Sequence, residues 1–333
     1  MLRGRVVKLD RGFPLVLTED GGLYRCKHAT ALVKERKLRA AIGDLVDLEL
    51  LEGDDKALIK GIQARKNTLV RKDPTEQTLP QVLAANFDRI LITQPMNDIN
   101  PGRLARELVV AHETGAAVTV VLTKADLAKS EKKQEASLAK IGNLVDAADV
   151  LVVSEQDPQS VEAIRALIPP GEIAVMVGRS GVGKSSLVNL LVGYDAQKVA
   201  GIREADGKGR HTTASREMIA IPQGGSIVDM PGIRGLGLWD AQSGIEAAFA
   251  DIEELALQCR FRDCRHEAEP GCAVAEALQK GELPASRIGL YRTLRQETAL
   301  IQERREEAER KRARQGHPRH KNPPSSAAAP PRF

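Results

Sequence analysis

The sequence predicts a multidomain protein with an N-terminal β-barrel, a central α/β domain and a C-terminal α-helical domain. Three observations predict this order: short alternating apolar runs up to residue 65, alternating strand and helix patterns between 82 and 240, and helical patterns interrupted by Cys and His residues after 241. Short strands in succession favour a barrel, whereas strands that alternate with helices favour a mostly parallel sheet. A chain of 333 residues is also longer than one ordinary core requires.

The composition is typical of a soluble globular protein. Charged residues make up 28% and hydrophobic residues 42% of the chain, and the aromatic content of 3% implies a core of Leu, Val, Ile and Ala. No apolar run approaches the roughly 20 residues that span a bilayer, and no apolar signal segment follows the first residues. We therefore expect a cytoplasmic monomer that makes no membrane contact.

The first domain, residues 1–65, is predicted to be a five-stranded OB-fold barrel. Alternating apolar residues predict strands at 6–9, 13–17, 23–26, 45–50 and 58–62, with a turn at 19–22. The open face of an OB-fold commonly binds nucleic acid. Only Phe13 and Tyr24 are available to stack on bases, so an RNA-binding barrel and a purely structural barrel both remain open.

The polar residues 66–81 are interpreted as a linker, and residues 82–240 as a nucleotide-binding α/β domain. Candidate strands lie at 89–93, 118–122, 150–153, 173–177 and 226–228. Candidate helices lie between them at 104–112, 132–147 and 161–167. This alternation is typical of a mostly parallel sheet that is covered by helices on both faces.

A phosphate-binding loop, or P-loop, follows the strand at 173–177. Residues 178–185 match G-x-x-x-x-G-K-[ST] between that apolar strand and an amphipathic helix. In such a loop the backbone N–H groups surround the phosphates, Lys184 reaches the β and γ phosphates, and the Ser185 hydroxyl ligates Mg²⁺. The predicted nucleotide contacts are Gly178, Arg179, Ser180, Gly181, Val182, Gly183, Lys184, Ser185 and Ser186.

Two further segments are placed to sense the γ-phosphate. The strand at 226–228 leads into Asp229 and Gly232 in an Asp-x-x-Gly pattern, which puts an acid near the metal and a glycine N–H near the phosphate. The glycine-rich stretch at 207–213 ends in Thr212 and Thr213, one of which would complete the Mg²⁺ coordination when GTP is bound. Thr213 is the candidate magnesium ligand, and Thr212 stays open as the alternative.

The choice of base is assigned to the turn after the strand at 118–122. Its Thr-Lys-Ala-Asp sequence resembles the guanine-reading Asn-Lys-x-Asp, in which Asp126 would accept from N1–H and the N2 amine. Adenine lacks that donor pair, so a pocket built around Asp126 should disfavour ATP. Lys124 would pack along the base and the P-loop, whereas Thr123 in place of Asn leaves open a simple β-to-α turn. Ser154, after the next strand, is the candidate for the loop that reads guanine O6.

The order of these motifs indicates a circular permutation. The base-reading segments at 123 and 154 precede the P-loop at 178, whereas they follow it in ordinary GTPases. The termini of compact domains often lie close together, so joining them and cutting elsewhere leaves the packed sheet intact. The segment that carries Asp229 then leads directly into the C-terminal domain.

That C-terminal domain, residues 241–302, is predicted to be helical and to bind one structural zinc ion. Its candidate ligands are Cys259, Cys264, His266 and Cys272. Three thiolates and one imidazole make a closed tetrahedral site with no open position for a catalytic water. In a cytoplasmic protein such clustering favours a metal over disulfides, and the separate Cys26 is expected to be a buried thiol.

The last segment, residues 303–333, is interpreted as a basic, disordered tail. It carries nine Lys or Arg residues against four Glu, a net charge of +5, while the whole chain carries +4. Its Pro-, Ala- and Ser-rich end cannot bury a core. Attraction to RNA through counterion release and a merely solvated helix end are both consistent with this charge.

Together these motifs resemble one known family over about residues 3–295. They are Ala-Asn-Phe-Asp at 85–88, Thr-Lys-Ala-Asp at 123–126, the P-loop at 178–185, Gly-Arg-His-Thr-Thr at 209–213, Asp-Met-Pro-Gly at 229–232, and the cysteine cluster with Glu-Pro-Gly-Cys at 269–272. The sequence is similar to the ribosome-small-subunit-dependent GTPase A family of circularly permuted GTPases. The resemblance implies an OB-fold, a permuted GTPase core that uses GTP and Mg²⁺, and a zinc domain. It also implies slow GTP hydrolysis that is stimulated by the small ribosomal subunit and its rRNA during late maturation of that subunit.

Three positions depart from the pattern of that family or of GTPases in general. Met230 stands where the family usually has Thr, Thr123 where Asn is usual, and Ile233 where many GTPases keep a water-orienting Gln. Water must then be positioned by another group. His211 is a candidate because it accepts or donates protons near neutral pH, but a solvated or RNA-contacting histidine is the alternative.

Three functions from different classes compete. The first is a ribosome-activated GTPase with Lys184, His211, Asp229 and Gly232 in its catalytic site. A P-loop ATPase or kinase would lack the guanine reader at Asp126. An RNA-binding module with a vestigial nucleotide site would have no need to retain Lys184 and Ser185.

Overall fold

The N-terminal β-barrel is confirmed in the computed structural model. The structure describes residues 2–10, 13–35, 37–51, 56–71, 81–127, 130–142, 144–145, 150–193, 216–230, 238, 241–267 and 269–315. The barrel strands are β1 Leu2–Asp10, β2 Phe13–Thr18, β3 Leu23–His28, β4 Leu45–Leu50 and β5 Lys56–Ile62, with helix α1 at Thr30–Lys34. They pair in the order β1-β2-β3-β5-β4, and β4 returns to β1, so the barrel is closed. Closure leaves no barrel strand with an open edge.

Apolar residues that alternate along these strands fill the barrel. Val6, Val16, Val46 and Ile59 are fully buried in this core. Cys26 lies among them, and burial raises the pKa of its thiol to about 11. The prediction of a buried thiol at this position is therefore confirmed.

The central sheet has the parallel arrangement that the alternating pattern predicts. After the hairpin β6 Thr68–Arg71 and β7 Gln81–Ala85 come β8 Arg89–Pro95, β9 Ala117–Thr123, β10 Val150–Val152, β11 Ile173–Val177, β12 Arg216–Ala220 and β13 Ser226–Asp229. The spatial order is β10-β9-β8-β11-β13-β12, and all neighbours are parallel except β12, which runs antiparallel to β13. The carboxyl ends of β8, β9, β11 and β13 therefore meet at one edge, where ligands of such sheets bind.

Helices cover both faces of this sheet. They are α2 Pro101–His112, α3 Glu131–Gly142, α4 Pro158–Ala166 and α5 Lys184–Val192, with a short 3₁₀ turn at Ala125–Leu127. In β8, Ile90 and Ile92 pack in the same core cluster as Leu104 of α2. Leu91 points to the other face and packs with Leu187 of α5. The strands are buried on both sides, which explains their continuous apolar runs.

The sequence patterns did not predict three of the strands, namely β6, β7 and β12. β6 lies inside the segment interpreted as a linker, and it pairs antiparallel with β7. Leu69 is its one fully buried residue, which is too short a pattern to identify a strand. β12 has no fully buried residue at all, and its position is set by pairing with β13 and with β1 of the barrel.

A network of polar contacts joins the barrel to the central sheet. Asn86 donates from Nδ2 to the carbonyl of Gly43 at 3.2 Å, and Asp88 accepts from the N–H of Ile173 at 2.9 Å. Gly43 has φ +87°, and a Cβ there would lie 2.0 Å from the carbonyl oxygen of Ala85. The Ala-Asn-Phe-Asp motif thus links a barrel turn to the start of the P-loop strand.

The C-terminal region is helical, as predicted. Its helices are α6 Gln242–Ala248, α7 Ala250–Ala256, α8 Ala273–Lys280 and α9 Ala285–Gln315. Phe249 and Tyr291 pack edge to face with ring centroids 5.6 Å apart. Nowhere in the described ranges is a helix both long enough and apolar enough to cross a membrane.

The expected disorder from residue 303 was wrong for residues 303–315, which continue α9. This stretch consists mainly of Glu, Arg, Lys and Ala, which are strong helix formers. Glu306 and Arg310 form an i,i+4 ion pair at 3.2 Å on the exposed surface. A charge-rich composition is consistent with either a tail or a solvated helix, and here it forms a helix as far as Gln315. Residues 316–333 lie outside the described part of the chain.

Candidate nucleotide and metal sites

The P-loop turns sharply between β11 and α5, and its glycines are required there. Gly178 has φ +148°, and a Cβ at this position would lie 2.5 Å from the carbonyl oxygen of Thr93 in β8. Gly183 has φ +103° and caps α5 without a side-chain hydrogen bond. The first N–H groups of α5 therefore have no side-chain cap, which is the arrangement of an anion site at a helix N-terminus.

Lys184 lies over this loop and is buried, with 7% of its surface exposed. Its Nζ donates to the carbonyl of Gly178 at 2.9 Å and to that of Arg179 at 2.8 Å. Burial lowers the pKa of Lys184, while the nearby charges of Asp229 and Glu107 raise it. A desolvated ammonium held by two uncharged carbonyl acceptors is suited to exchange them for charged phosphate oxygens.

The remaining predicted P-loop residues divide by exposure. Val182 is buried at 4%, whereas Ser180, Gly181, Ser185 and Ser186 are exposed. Exposure at the first turn of α5 leaves the Ser185 hydroxyl accessible as a hard oxygen ligand for Mg²⁺. Arg179 is also exposed, and its guanidinium lies 3.6 Å from the carboxylate of Asp98.

The turn that is predicted to read the base contacts the P-loop directly. Thr123 is 5% exposed, and its hydroxyl donates to the carbonyl of Val182. Lys124, in a left-handed conformation with φ +59°, donates from Nζ to the carbonyl of Gly181 at 2.6 Å. Asp126 follows in the 3₁₀ turn and is exposed at the same edge of the sheet. The structure therefore brings the predicted base reader and the phosphate loop together.

Ser154 lies next to this turn at the end of β10. The N–H of Ala125 donates to the carbonyl of Val153 at 3.4 Å, which links the two loops. The Ser154 hydroxyl accepts from the N–H of Gln156 at 3.1 Å, and its own N–H donates to the hydroxyl of Ser160 at 3.2 Å. Ser154 thus shapes a local turn beside the candidate base pocket.

Asp229 ends β13 opposite Met176 of the P-loop strand. Its position beside β11 explains why its charge supports the protonated form of Lys184. The neighbouring Met230, where the family usually has Thr, is fully buried in the core. His211, Thr212, Thr213 and Gly232 lie outside the described residues.

The four predicted zinc ligands converge. The ligand atoms of Cys259, Cys264, His266 and Cys272 all lie within 4.8 Å of one another. The Nδ1 atom of His266 is 3.6 Å from the sulfurs of both Cys259 and Cys272, which are themselves 3.9 Å apart. Sulfurs bound to tetrahedral zinc at about 2.3 Å would be about 3.8 Å apart, so the cluster fits the ion. Burial lowers the pKa of His266, which keeps the imidazole neutral for coordination.

Comparison with known proteins decides the family. The family model described as RsgA GTPase matches residues 62–239 of the chain. A Streptomyces avermitilis protein named small ribosomal subunit biogenesis GTPase RsgA is 39% identical over 302 residues, or 90% of this chain and 80% of that protein. The chain belongs to the RsgA GTPase family.

Two solved structures share the fold of this RsgA-family chain. YjeQ from Thermotoga maritima aligns with a TM-score of 0.66 and 25% identity, covering 90% of this chain and 98% of that one. YloQ, described as a circularly permuted GTPase, aligns with a TM-score of 0.63 and 24% identity, covering 91% and 96%. The permuted order predicted from the positions of the base-reading turn and the P-loop is therefore confirmed.

Sequence reasoning missed one buried polar pair at this edge. Glu107 of α2 is 7% exposed and accepts a hydrogen bond from Nε2 of Gln94 in β8 at 2.5 Å. Burial raises the pKa of Glu107 to about 7. The available signal was a carboxylate on the apolar stripe of α2, between Leu104 and Leu108.

Proposed function

We propose that this RsgA-family chain binds GTP with Mg²⁺ at residues 178–185 and hydrolyses it to GDP and phosphate. We further propose that hydrolysis accompanies late maturation of the small ribosomal subunit, which stimulates it. The observation that carries the proposal is the pair of bonds from Thr123 and Lys124 to the P-loop. They bring Asp126, which would read guanine, and Lys184, which would bind phosphate, to one edge of the sheet.

Each described residue has a role that its environment supports. Lys184 would exchange its two carbonyl partners for the β and γ phosphates, and the uncapped turn of α5 would donate N–H groups to them. Ser185 and the carboxylate of Asp229 supply oxygen donors of the kind that Mg²⁺ prefers. When bound, Mg²⁺ would neutralise charge on the transferring phosphoryl group. Asp126 and Ser154 would select guanine.

The proposal extends to residues outside the described ranges. Thr213, with Thr212 as the alternative, would complete the Mg²⁺ coordination, and Gly232 would donate its N–H to the γ-phosphate. His211 would position the attacking water, because Ile233 cannot. The zinc cluster would serve a structural purpose, since four protein ligands leave no open position.

The partner of the proposed enzyme is the small ribosomal subunit with its rRNA. The curated relative is named for biogenesis of that subunit. The barrel of residues 1–65 would contribute an RNA-contacting surface, and residues 82–240 and 241–302 would act as the GTPase and zinc-binding domains. We also propose that the chain works in the cytoplasm as a monomer. Sedimentation of the purified protein would check the monomeric state.

The test is steady-state GTP hydrolysis by the purified protein alone, with small subunits, with large subunits, and with ATP as competitor. Strong stimulation by small subunits alone, lost in Lys184→Ala and kept in Lys133→Ala on the exposed surface of α3, would support the proposal. Equal competition by ATP would favour a P-loop ATPase. Nucleotide binding without turnover on ribosomes would favour an RNA-binding module with a vestigial site.

A further inference from the structure

A carboxyl group is buried beside the phosphate site. Glu107 lies on the inward face of α2, and the amide of Gln94, itself 1% exposed, donates to it. Throughout the described ranges, no lysine or arginine forms an ion pair with Glu107 within 4.0 Å. A charged carboxylate with one neutral donor is only partly compensated for the loss of water.

Gln94, the partner of Glu107, lies against residues that shape the nucleotide site. Gln94 belongs to β8, and its main-chain carbonyl lies 3.2 Å from the hydroxyl of Thr123. The preceding residue, Thr93, packs closely on Gly178. A Cβ added to Gly178 would lie 2.5 Å from the carbonyl oxygen of Thr93. Gln94 therefore lies between the base-reading turn and the first residue of the P-loop.

The electrostatic environment ties Glu107 to the same loop. Burial has the largest effect and raises the pKa of Glu107 to about 7, while the charges of Arg103, Lys184 and Arg179 lower it. In return, Glu107 and Asp229 raise the pKa of Lys184. The charges of Glu107 and Lys184 therefore interact, and each favours the ionised form of the other.

Other charged groups near α2 have partners of their own. Glu246 of α6 is exposed and accepts from Nε2 of Gln242 at 2.8 Å. Glu297 of α9 forms an ion pair with Arg106 at 2.6 Å. The cations that act on the charge of Glu107 are Arg103 of α2 itself and, in the P-loop, Lys184 and Arg179.

We infer that Glu107 is a positioning residue of the nucleotide site, and that the binding of phosphates at Lys184 shifts its carboxyl group toward the protonated form. The inference rests on the proposed function in that a guanine nucleotide must bind the P-loop. The phosphates of a guanine nucleotide carry more negative charge than one Mg²⁺ neutralises, so their binding at Lys184 offsets the positive charge that favours ionised Glu107. The proton comes from solvent and forms an O–H bond on the carboxylate, which leaves the Gln94 amide bonded to a neutral acid.

The sign of the resulting pH dependence follows from linkage. The nucleotide-bound protein holds the proton to higher pH than the free protein, so binding is tightest where Glu107 is protonated in both states. Affinity then falls as pH rises above the free pKa of about 7. One proton taken up per nucleotide gives a fall of about tenfold per pH unit. Below the free pKa this contribution is flat.

The experiment measures GDP binding to the full chain by calorimetry between about pH 6 and pH 9, in buffers of different ionisation enthalpy. GDP is used because it is not hydrolysed, and its own phosphate titration is common to all variants. Glu107→Gln keeps the shape and the contact to Gln94, and Glu135→Gln on the exposed face of α3 is the matched control. We expect wild type and Glu135→Gln to take up one more proton than Glu107→Gln. Parallel pH profiles for all three would overturn the inference.

A second variant keeps the test decisive if Glu107→Gln folds poorly. Gln94→Met removes the donor that favours the charged carboxylate, so the affinity midpoint should move to higher pH by about one unit. A structural role alone would lower affinity equally at every pH, and that result would contradict the inference. Infrared difference spectra should also gain a protonated-carboxyl band on GDP binding in wild type. If wild type binds no GDP at any pH, the proposed function itself is wrong.

Discussion

The hydroxyl of Thr123 donates a hydrogen bond to the carbonyl of Val182, which joins the proposed base-reading turn to the P-loop. Both residues are buried, so this bond is shielded from water. Gly183 packs on the same side chain, since a Cβ there would lie 3.2 Å from Oγ1 of Thr123. The departure from Asn at this position therefore keeps a polar link between the two halves of the site.

Thr123→Val should weaken guanine nucleotide binding. Valine keeps the shape of threonine but leaves the carbonyl of Val182 without its donor, at a cost of about 1 to 2 kcal/mol or about 5- to 30-fold in affinity. Thr123→Ser is the control because it retains the hydroxyl. Calorimetric titration with GDP measures both, and equal affinities for Val and Ser would show that the hydrogen bond has no part in positioning the turn.

Asp126→Asn should exchange the base preference. An amide in place of the carboxylate cannot accept both guanine donors, so GTP affinity should fall about 100-fold or more. Xanthine carries a carbonyl in place of the N2 amine, and its nucleotide should gain affinity from the new donor. Asp157→Asn is the control, because it changes an acid in the cap of α4, where Asn caps equally well. Unchanged GTP affinity in Asp126→Asn would place the base reader elsewhere.

The parts of the site that sequence predicted are those specified by local motifs. The turn from β11 through Gly178 and Gly183 to α5 follows from residues that are adjacent in the chain. The Glu107–Gln94 pair could not be found this way, because the donor that accommodates the buried carboxylate lies on another element. The same reason applies to β12, whose place depends on pairing with β1 and β13.

Removing zinc should unfold the C-terminal cluster while leaving the nucleotide site intact. Once the metal is removed, no ion holds Cys259, Cys264 and Cys272 together, and a structural site gains its stability from the metal. Metal analysis should find one zinc per chain in wild type and in Cys26→Ala, and much less in Cys259→Ser. Chelation should reduce helical circular dichroism but retain GDP binding. A full zinc content in Cys259→Ser would argue against this ligand set.

Asp44→Asn should be among the most destabilising conservative changes in the barrel. Asp44 is fully buried and accepts from Arg65 through both oxygens at 2.7 Å and from the N–H of Ala41 at 2.7 Å. Neutralising one partner of such a pair leaves the other charge uncompensated, at a cost of about 3 to 5 kcal/mol. The exposed pair of Glu49 and Lys60 gives the control, and Glu49→Gln should cost less than about 1 kcal/mol. Urea denaturation measures both, and similar values would contradict the expectation.

His28 should make the barrel sensitive to acid. Its Nε2 accepts from the N–H of Ala40 at 2.9 Å, and burial, together with the charge of Arg39, lowers its pKa from the ordinary value of 6.5. The folded state therefore favours the neutral ring, so its stabilising contribution is complete above pH 6.5 and is lost as pH falls through the lower folded pKa. His28→Gln keeps an acceptor for Ala40 but cannot take up the proton. Its free energy of unfolding should fall less steeply than that of wild type below pH 6.5, while the two profiles stay parallel at higher pH. Identical slopes in acid would show that protonation of His28 is not linked to folding.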